Sequence, residues 1–409
     1  MSSRTLSLYQ RGIHARNAVW AGFFFLGITG MAWIPRIPEI KDSLNLSDGQ
    51  FGLVLLASTL GAVPGAQLSG RIVHMYSSKI VVRISGVTLP LGVSVMGFAQ
   101  TVLELAIGLF ICGFSVAFMD VALNGQAVAI EGHTQGRWMS SFHGLWSVGA
   151  FFAALLGGLV AHVLSPRANL VGISCLSFLA YFVITHYLLP PDLDGHLGDE
   201  GEESASKVPL IGKEAMILWG LGFGLMCALI PEGGAYDWSG ILLQDHMNIG
   251  KGLNAAAATV FSLAMIASRL LGDRFFEKWG HVKTVQYGGI LGGGIWGLSL
   301  AIGIPLADSH QMVSLVIVCI GFGAAGFGMG PFFPAFNLAA ASIPGVAPSV
   351  GLARIGLIAI ASYFAGPTII GGIAEVTSLP IAFALPVLLM FGAAYQSRFI
   401  KVKRLSHES

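Results

Sequence analysis

Long apolar runs, most of about twenty residues, alternate with short polar breaks along the whole chain. About 20 apolar residues in an α-helix cross the hydrocarbon core of a bilayer. The runs predict twelve such helices, at 17–36, 49–71, 80–99, 103–127, 138–162, 168–189, 213–235, 253–272, 283–304, 312–337, 347–372 and 379–399. Polar residues or proline interrupt the runs at 103–127 and 312–337, which are the least regular. The expected fold class is an all-α membrane protein with twelve transmembrane helices.

An even number of spans puts both termini on one side. Of the 22 Lys and Arg residues, only Arg36, Lys41, Arg167 and Lys251 then fall on the opposite side, and Arg269 is grouped with the majority. Cytoplasmic loops hold the excess of Lys and Arg, so both termini are expected in the cytoplasm. The first sixteen residues are polar and basic, with no cleavable signal peptide apparent. The longest polar segment, 190–212, contains Asp192, Asp194, Asp199, Glu200, Glu202 and Glu203 among several glycines. It reads as a flexible hydrophilic linker. The expected organisation is an N-terminal six-helix bundle over 1–190, an acidic cytoplasmic linker over 191–212 and a C-terminal six-helix bundle over 213–409.

The two halves share a pattern. Asp42, Asn45 and Gly49 recur as Asp245, Asn248 and Gly252, an offset of 203 residues. The same offset carries Arg71 onto Arg274 and Gly86 onto Gly289. The alternative is chance similarity between apolar segments, against which it counts that polar residues carry the match. Parallel repeats of this kind mark secondary transporters, whose solute site usually lies where the halves meet.

Composition agrees with lipid as the main solvent. Hydrophobic residues make up 54% of the chain and charged residues 11%, against roughly 25% charged in a soluble domain. The 55 glycines sit inside apolar runs such as 288–297 and 321–330 without a collagen period. Small residues there let membrane helices approach closely. A net charge of +1 gives no reason to expect a nucleic-acid partner. Cys112, Cys175, Cys227 and Cys319 lie in apolar stretches without ligand spacing and read as buried small residues.

Arg269-Leu-Leu-Gly272-Asp273-Arg274, followed by Lys278-Trp-Gly280, resembles the G-x-x-x-D-R-x-G-R-K signature of the major facilitator superfamily. It is placed in the loop between the eighth and ninth spans. In the first half the corresponding stretch runs from Gly65 to Gly70-Arg71, with glycine where the signature has its aspartate. Three further stretches narrow the resemblance: Met119-Asp120 to Asn124, Ser140 to His143 and Trp146, and Glu232 to Asp237-Trp238. Together they resemble a bacterial branch related to the fucose permease-type sugar–proton symporters. The resemblance implies the major facilitator fold, two pseudo-symmetric six-helix bundles, and alternating access by rocking of the bundles. It implies a gating role for Gly272, Asp273, Arg274 and Arg71; the bland alternative is that these arginines only hold the loops in the cytoplasm.

Asp120 is the sharpest candidate for solute or proton handling. An acid within an apolar helix is costly and normally faces water or a partner. Asn124 lies four residues on, on the same face, placed to donate to solute hydroxyls or to orient the carboxylate. The alternative is a structural hydrogen bond across the bundle. Glu131 continues the line toward the cytoplasm, as a further member or an interfacial acid. His143 and Trp146 share a face near the start of the fifth span; the imidazole titrates near neutral pH and the indole can stack on a sugar ring, although a packing histidine fits equally. Asn337 follows Pro331 and Pro334, which locally open the tenth helix. Arg36, Glu39 and Asp42 follow the first span, while Glu232, Asp237 and Trp238 end the seventh. These are expected at the outer mouth as a gate or polar vestibule, with loop solvation as the alternative; Trp33 and Trp238 also suit interfacial anchors.

Two transporter readings stand. One is proton-driven movement of a small polar solute, a sugar or related metabolite. The other is proton-coupled efflux of drugs or hydrophobic metabolites, which the 26 phenylalanines would suit. The glycine run at 321–328 lacks the G-K-[ST] of a nucleotide-binding loop, so ATP-driven pumping is disfavoured. A channel lacks its selectivity motif, and an enzyme lacks a convergent catalytic or H-E-x-x-H set. No cofactor or metal is implied. The expected partners are the solute, protons and membrane lipid, and one chain supplies both halves, so a monomer suffices.

Overall fold

The computed structural model describes residues 8–134, 136, 138–194, 212–343, 346 and 348–400. Most of the predicted linker over 191–212 lies outside the described residues. Among the described residues the chain is helical, with no strand. It folds as two compact units, Met1–Asp199 with Lys251–Ala255, and Glu200–Gly250 with Ala256–Ser409.

The first unit contains α1 (Leu8–Gly30), the short α2 (Ile37–Ser43), α3 (Asp48–Met75), α4 (Ser78–Phe98), α5 (Val102–Thr134), α6 (Met139–Leu159) and α7 (Pro166–Tyr187). Helix α1 packs on α6, α3 and α4 both pack on α5, and α4 packs on α7. Polar residues set the helix starts. Ser47 and Gln50 form a reciprocal capping box at α3: the Ser47 amide donates to Gln50 Oε1 (3.1 Å) and the Gln50 amide to Ser47 Oγ (3.3 Å). Ser165 caps α7 just before Pro166.

The second unit contains α8 (Lys213–Met247), α9 (Ala256–Tyr287), a π-helical turn over Gly288–Gly292, α10 (Gly293–Leu306), α11 (Gln311–Met329), α12 (Phe332–Ala341), α13 (Pro348–Val376), α14 (Leu379–Ala382) and α15 (Ala384–Gln396). Its pairings repeat those of the first unit: α8 packs on α13, α9 and α10 on α11, and α10 on α15. The offset of 203 residues seen in the sequence reappears in the backbone. Asn45 (φ 49°) and Asn248 (φ 53°) are repeat mates and both adopt the left-handed conformation, which asparagine tolerates better than other side-chain-bearing residues. The helical path also breaks at two further mates, Ser77 between α3 and α4 and Gly280 (φ 76°) within α9. Gly86 and Gly289, a third pair, both sit where a side chain would collide, with Tyr181 in one unit and the Met390 carbonyl in the other.

By length and composition, ten stretches of the described residues suffice to cross a membrane. One of them, Leu253–Leu306, is 54 residues long. A straight helix of that length would run about 80 Å, far beyond a bilayer, and the break at Gly280 divides it.

Several predicted ends shift. The fifth helix of the first unit continues to Thr134 rather than 127, and α8 continues to Met247 rather than 235. Asp194, expected in the polar linker, is instead held within the first unit. Asp194 is 4% exposed; its Oδ2 accepts from Ser77 Oγ (2.8 Å), the Ser78 amide (2.9 Å) and Ser78 Oγ (2.7 Å). This carboxylate therefore caps the start of α4. Gln126 on α5 closes the same corner, donating to Ser78 Oγ and accepting from the Leu189 amide. Trp33 and Trp238 are buried at 6% and 0% exposure, so neither is an interfacial anchor.

Candidate functional site

In the first unit, α1, α5 and α6 assemble a polar cluster inside otherwise apolar helices. His143 on α6 donates through Nε2 to Asn124 Oδ1 on α5 (3.1 Å). An amide oxygen only accepts, so this bond fixes the proton on Nε2. Asn124 Nδ2 donates back to the Asp120 carbonyl one turn earlier (2.8 Å). Asp120, Asn124 and Trp146 are half-buried and His143 is exposed. The Asp120 carboxyl thus stands one helical turn from an amide already oriented by an imidazole.

An aromatic wall adjoins the imidazole. Phe23 of α1 lies 5.0 Å from the His143 ring and stacks on Phe142. Trp20 donates to Ser141 Oγ (2.8 Å) and meets Trp138 edge-on. The Arg16 guanidinium lies 4.4 Å from the Trp20 ring and 4.6 Å from the Trp138 ring, a double cation–π contact. Close approach of α1 to α6 sets this geometry. A Cβ on Gly27 would strike the Trp146 carbonyl, and one on Gly149 would strike the Phe24 carbonyl. Glycines at both points let the backbones touch, which holds Trp146 and His143 against α1. Trp20, Phe23 and Trp138 were not singled out from the sequence as a set, because they come together only through this helix contact.

Glu131 does not extend the Asp120 line. Its Oε1 accepts from the amides of Trp138 and Met139 (2.9 Å to the latter), so it caps the start of α6, where helix N-termini favour negative charge.

Arg36 and Glu39 are also not solvated loop residues. Arg36 is 0% exposed, its Nε meets Glu39 Oε2 at 2.7 Å, and its Nη2 donates to the Leu164 carbonyl (2.6 Å). Glu39 also meets Lys251 Nζ (3.2 Å), a residue of the same unit. These contacts tie Arg36, Glu39 and Lys251 into one network.

In the second unit, Glu232 lies near the middle of the 35-residue α8 rather than at a span end. It pairs with Arg269 of α9, Nη2 to Oε1 at 3.7 Å. Tyr236 is one turn on from Glu232, and its Oη lies 3.2 Å from Ser262 Oγ on α9. Ser262 also donates to the Ala258 carbonyl (2.8 Å). Arg269, Tyr236 and Ser262 were missed as a set. The similarity of 269–274 to a loop signature placed Arg269 among cytoplasmic charges, whereas it lies well inside α9. Asp237 is half-buried on another face of α8.

The signature residues themselves are helical. Gly272, Asp273 and Arg274 belong to α9, whose break falls later, at Gly280. Gly272 is buried, while Asp273 and Arg274 are exposed and make no ion pair among the described residues. Arg71 is exposed near the end of α3. Asn337 sits on α12, beyond the break at Gly330 and Pro331 that its prolines predict, and donates to its own Phe333 carbonyl (2.8 Å).

The family model of the Major Facilitator Superfamily matches residues 19–349. An uncharacterised MFS-type transporter of Yersinia pestis is 30% identical over 394 residues, 96% of this chain and 97% of its own length. An uncharacterised transporter of Sinorhizobium fredii is 30% identical over 370 residues, covering 90% and 93% of the two chains. Among solved structures, the nucleoside transporter NupG superposes with a TM-score of 0.75, over 95% of this chain and 100% of that one, at 13% identity. At that identity the likeness is one of fold alone.

Proposed function

Because the chain belongs to the Major Facilitator Superfamily, matched over residues 19–349, we propose that it moves a small polar solute by proton-coupled alternating access. It is a secondary-active transporter of a small solute, a multi-pass bacterial inner-membrane protein and not an enzyme. The finer reading is ours. The solute is a sugar or related metabolite, as in the fucose permease-type symporters that the sequence resembles. Twelve spans form two bundles with both termini in the cytoplasm. Counting Leu253–Leu306 as two helices and adding α13 brings the ten long apolar stretches to twelve. The chain acts as a monomer.

One observation supports proton and solute handling above all: the Asp120, Asn124 and His143 cluster sits within membrane helices that are otherwise apolar. An ionisable group there needs an aqueous path or a partner, and a transporter supplies both through its cycle. Asn124 and His143 present donor and acceptor groups that match hydroxyls, and Trp146 offers a ring face for a sugar. Asp120 takes up and releases the coupling proton. Gly272, Asp273, Arg274 and Arg71 act at the cytoplasmic ends as the gate; Asn337 is a weaker solute contact.

Proteoliposome transport tests this. The native protein is expected to accumulate solute against its gradient when the proton gradient points inward. Asp120→Asn is expected to lose accumulation while keeping solute exchange at equal pH. Undiminished proton-driven accumulation in Asp120→Asn would remove Asp120 from coupling. Flux confined to hydrophobic cations would favour efflux instead.

A further inference from the structure

Helices α4 and α7 pack side by side in opposite directions, so the start of α4 lies beside the end of α7. A groove of about 320 Å³ opens between them, within the first unit. Its floor is Tyr181, which is 1% exposed and donates to the Gly22 carbonyl of α1 (3.2 Å). Gly86 of α4 makes room for this floor, because a Cβ there would stand 2.7 Å from Tyr181 Cβ. The walls are Val87 of α4 and Phe178 and Phe182 of α7, which are 51%, 44% and 62% exposed. Large apolar side chains that open to this degree on membrane helices face hydrocarbon, so the groove lies on the lipid side of the unit.

The end of the groove at the start of α4 is basic. Arg83 lines it from α4 and His186 from α7, and no acidic side chain lines it. Lys79 stands one turn before Arg83. Its Nζ donates to the Leu188 carbonyl (3.3 Å) at the end of α7, where the helix dipole favours a cation. Arg83 is exposed and has no hydrogen bond or ion pair among the described residues. His186 Nδ1 donates to the Phe182 carbonyl (2.6 Å), which holds the ring and leaves Nε2 for another partner. Asp194 offsets one cation from the first turn of α4, where Ser77 and Ser78 hold it. Two cations one turn apart repel each other, and a guanidinium stays charged under all ordinary conditions. A positive charge is therefore left over at the head of an apolar groove.

We infer that this groove binds an anionic phospholipid, with its phosphate on Arg83 and His186 and an acyl chain over Tyr181 between Val87, Phe178 and Phe182. The guanidinium fork matches two phosphate oxygens, and basic pockets between membrane helices suit anionic headgroups. A free phosphate would use the basic end alone, whereas the groove continues past it along apolar walls. A zwitterionic headgroup would bring its own cation against Arg83 and Lys79. From Lys79 to Val87 is two turns of helix, about 12 Å, so headgroup and upper chain are both held along one face of α4. The bound lipid fastens the start of α4 to the end of α7. In the orientation proposed above, the basic end lies at the cytoplasmic leaflet. The site is independent of which solute the protein carries.

The test titrates the full-length protein in a neutral detergent and follows the apparent Tm, since a ligand of the native state raises it. Phosphatidylglycerol is compared with phosphatidylcholine of the same acyl chains, and with glycerol 3-phosphate, which supplies the charge without a chain. Phosphatidylglycerol is expected to raise Tm saturably, and the other two to have little effect. Arg83→Gln is expected to weaken the response about tenfold, the worth of a charge-assisted bond. Arg83→Lys keeps the charge without the fork and is expected to fall between. Arg83 is exposed, so both variants are expected to fold as the native protein does. Phe178→Ala/Phe182→Ala removes the walls contributed by α7 and is expected to weaken the response as well. Arg167→Gln serves as the control, because Arg167 lies over Phe98 at the far end of the same helix pair; it is expected to leave the response unchanged. Equal stabilisation by phosphatidylcholine, or no response to either lipid, overturns the site. So does an undiminished response in Arg83→Gln, or the same loss in Arg167→Gln. A response to glycerol 3-phosphate that matches phosphatidylglycerol, or full affinity in the double phenylalanine variant, overturns the role of the chain and with it the lipid assignment. A loss of Tm in Arg83→Gln that is the same in every lipid overturns it too, and shows Arg83 to be bound within the chain.

Discussion

At the scale of single residues, the same side-chain types do different work according to their partners. Asn124 is the hinge of the first-unit cluster, because it joins His143 on α6 to the Asp120 turn of α5. Replacing it with alanine leaves His143 without that acceptor. Solute affinity is expected to fall by about tenfold, the worth of roughly one hydrogen bond of 1–1.5 kcal/mol, with little change in Tm. A binding titration on the purified variant checks this. Glu39 is the opposite case. Removing it strands the fully buried Arg36, and breaking a buried pair from one side costs about 3–5 kcal/mol. Glu39→Ala is therefore expected to lower thermal stability strongly, in any solute, while Glu39→Gln recovers part of the loss.

Helices show how short polar signals position the cluster. The Glu131 cap is local, so Glu131→Ala is expected to cost about 1 kcal/mol of stability, as caps do, and to leave solute selectivity unchanged. A shift in selectivity measured by competition would return Glu131 to the binding set. The Asp194 cap has the same logic but joins distant parts of the chain, since it ties the segment after α7 to the start of α4. The contact of α1 with α6 depends on Gly27 and Gly149. A valine at either point must push the backbones apart, and overpacking of that kind costs about 1–3 kcal/mol. Gly149→Val is expected to lower Tm and to impair transport more than Glu131→Ala does, because it moves Trp146 and His143 away from the α1 aromatic wall.

For the whole molecule, the consequence is that each unit has its own packing. Residues 1–199 and 200–409 expressed together as two chains are expected to restore transport, whereas either alone gives none. Lack of any transport from the pair would show that the covalent connection is required. Reporter fusions at Ser2 and at Ser409 are both expected to mark the cytoplasmic side. A reporter at either end found outside would contradict the distribution of Lys and Arg on which the orientation rests.

Much of this was legible in the chain itself. Apolar runs determine helices because a backbone in hydrocarbon must satisfy its own hydrogen bonds, and ten stretches of the described residues are helical, long and apolar enough to cross a membrane. Asp42, Asn45 and Gly49 with their mates revealed the repeat, since left-handed turns and breaks need particular residues and so leave a mark on the sequence. Asp120, Asn124 and His143 stood out because polar side chains are rare in such helices. Partners were not legible. Glu131 and Asp194 read as an interfacial acid and a linker acid until the fold brought helix starts to them. Arg36 and Glu232 read alike as outer charges, yet one pairs with Glu39 three residues away and the other with Arg269 on a separate helix. Whether a charge is a strut or a site depends on distances between helices far apart in sequence, and only tertiary packing sets those distances.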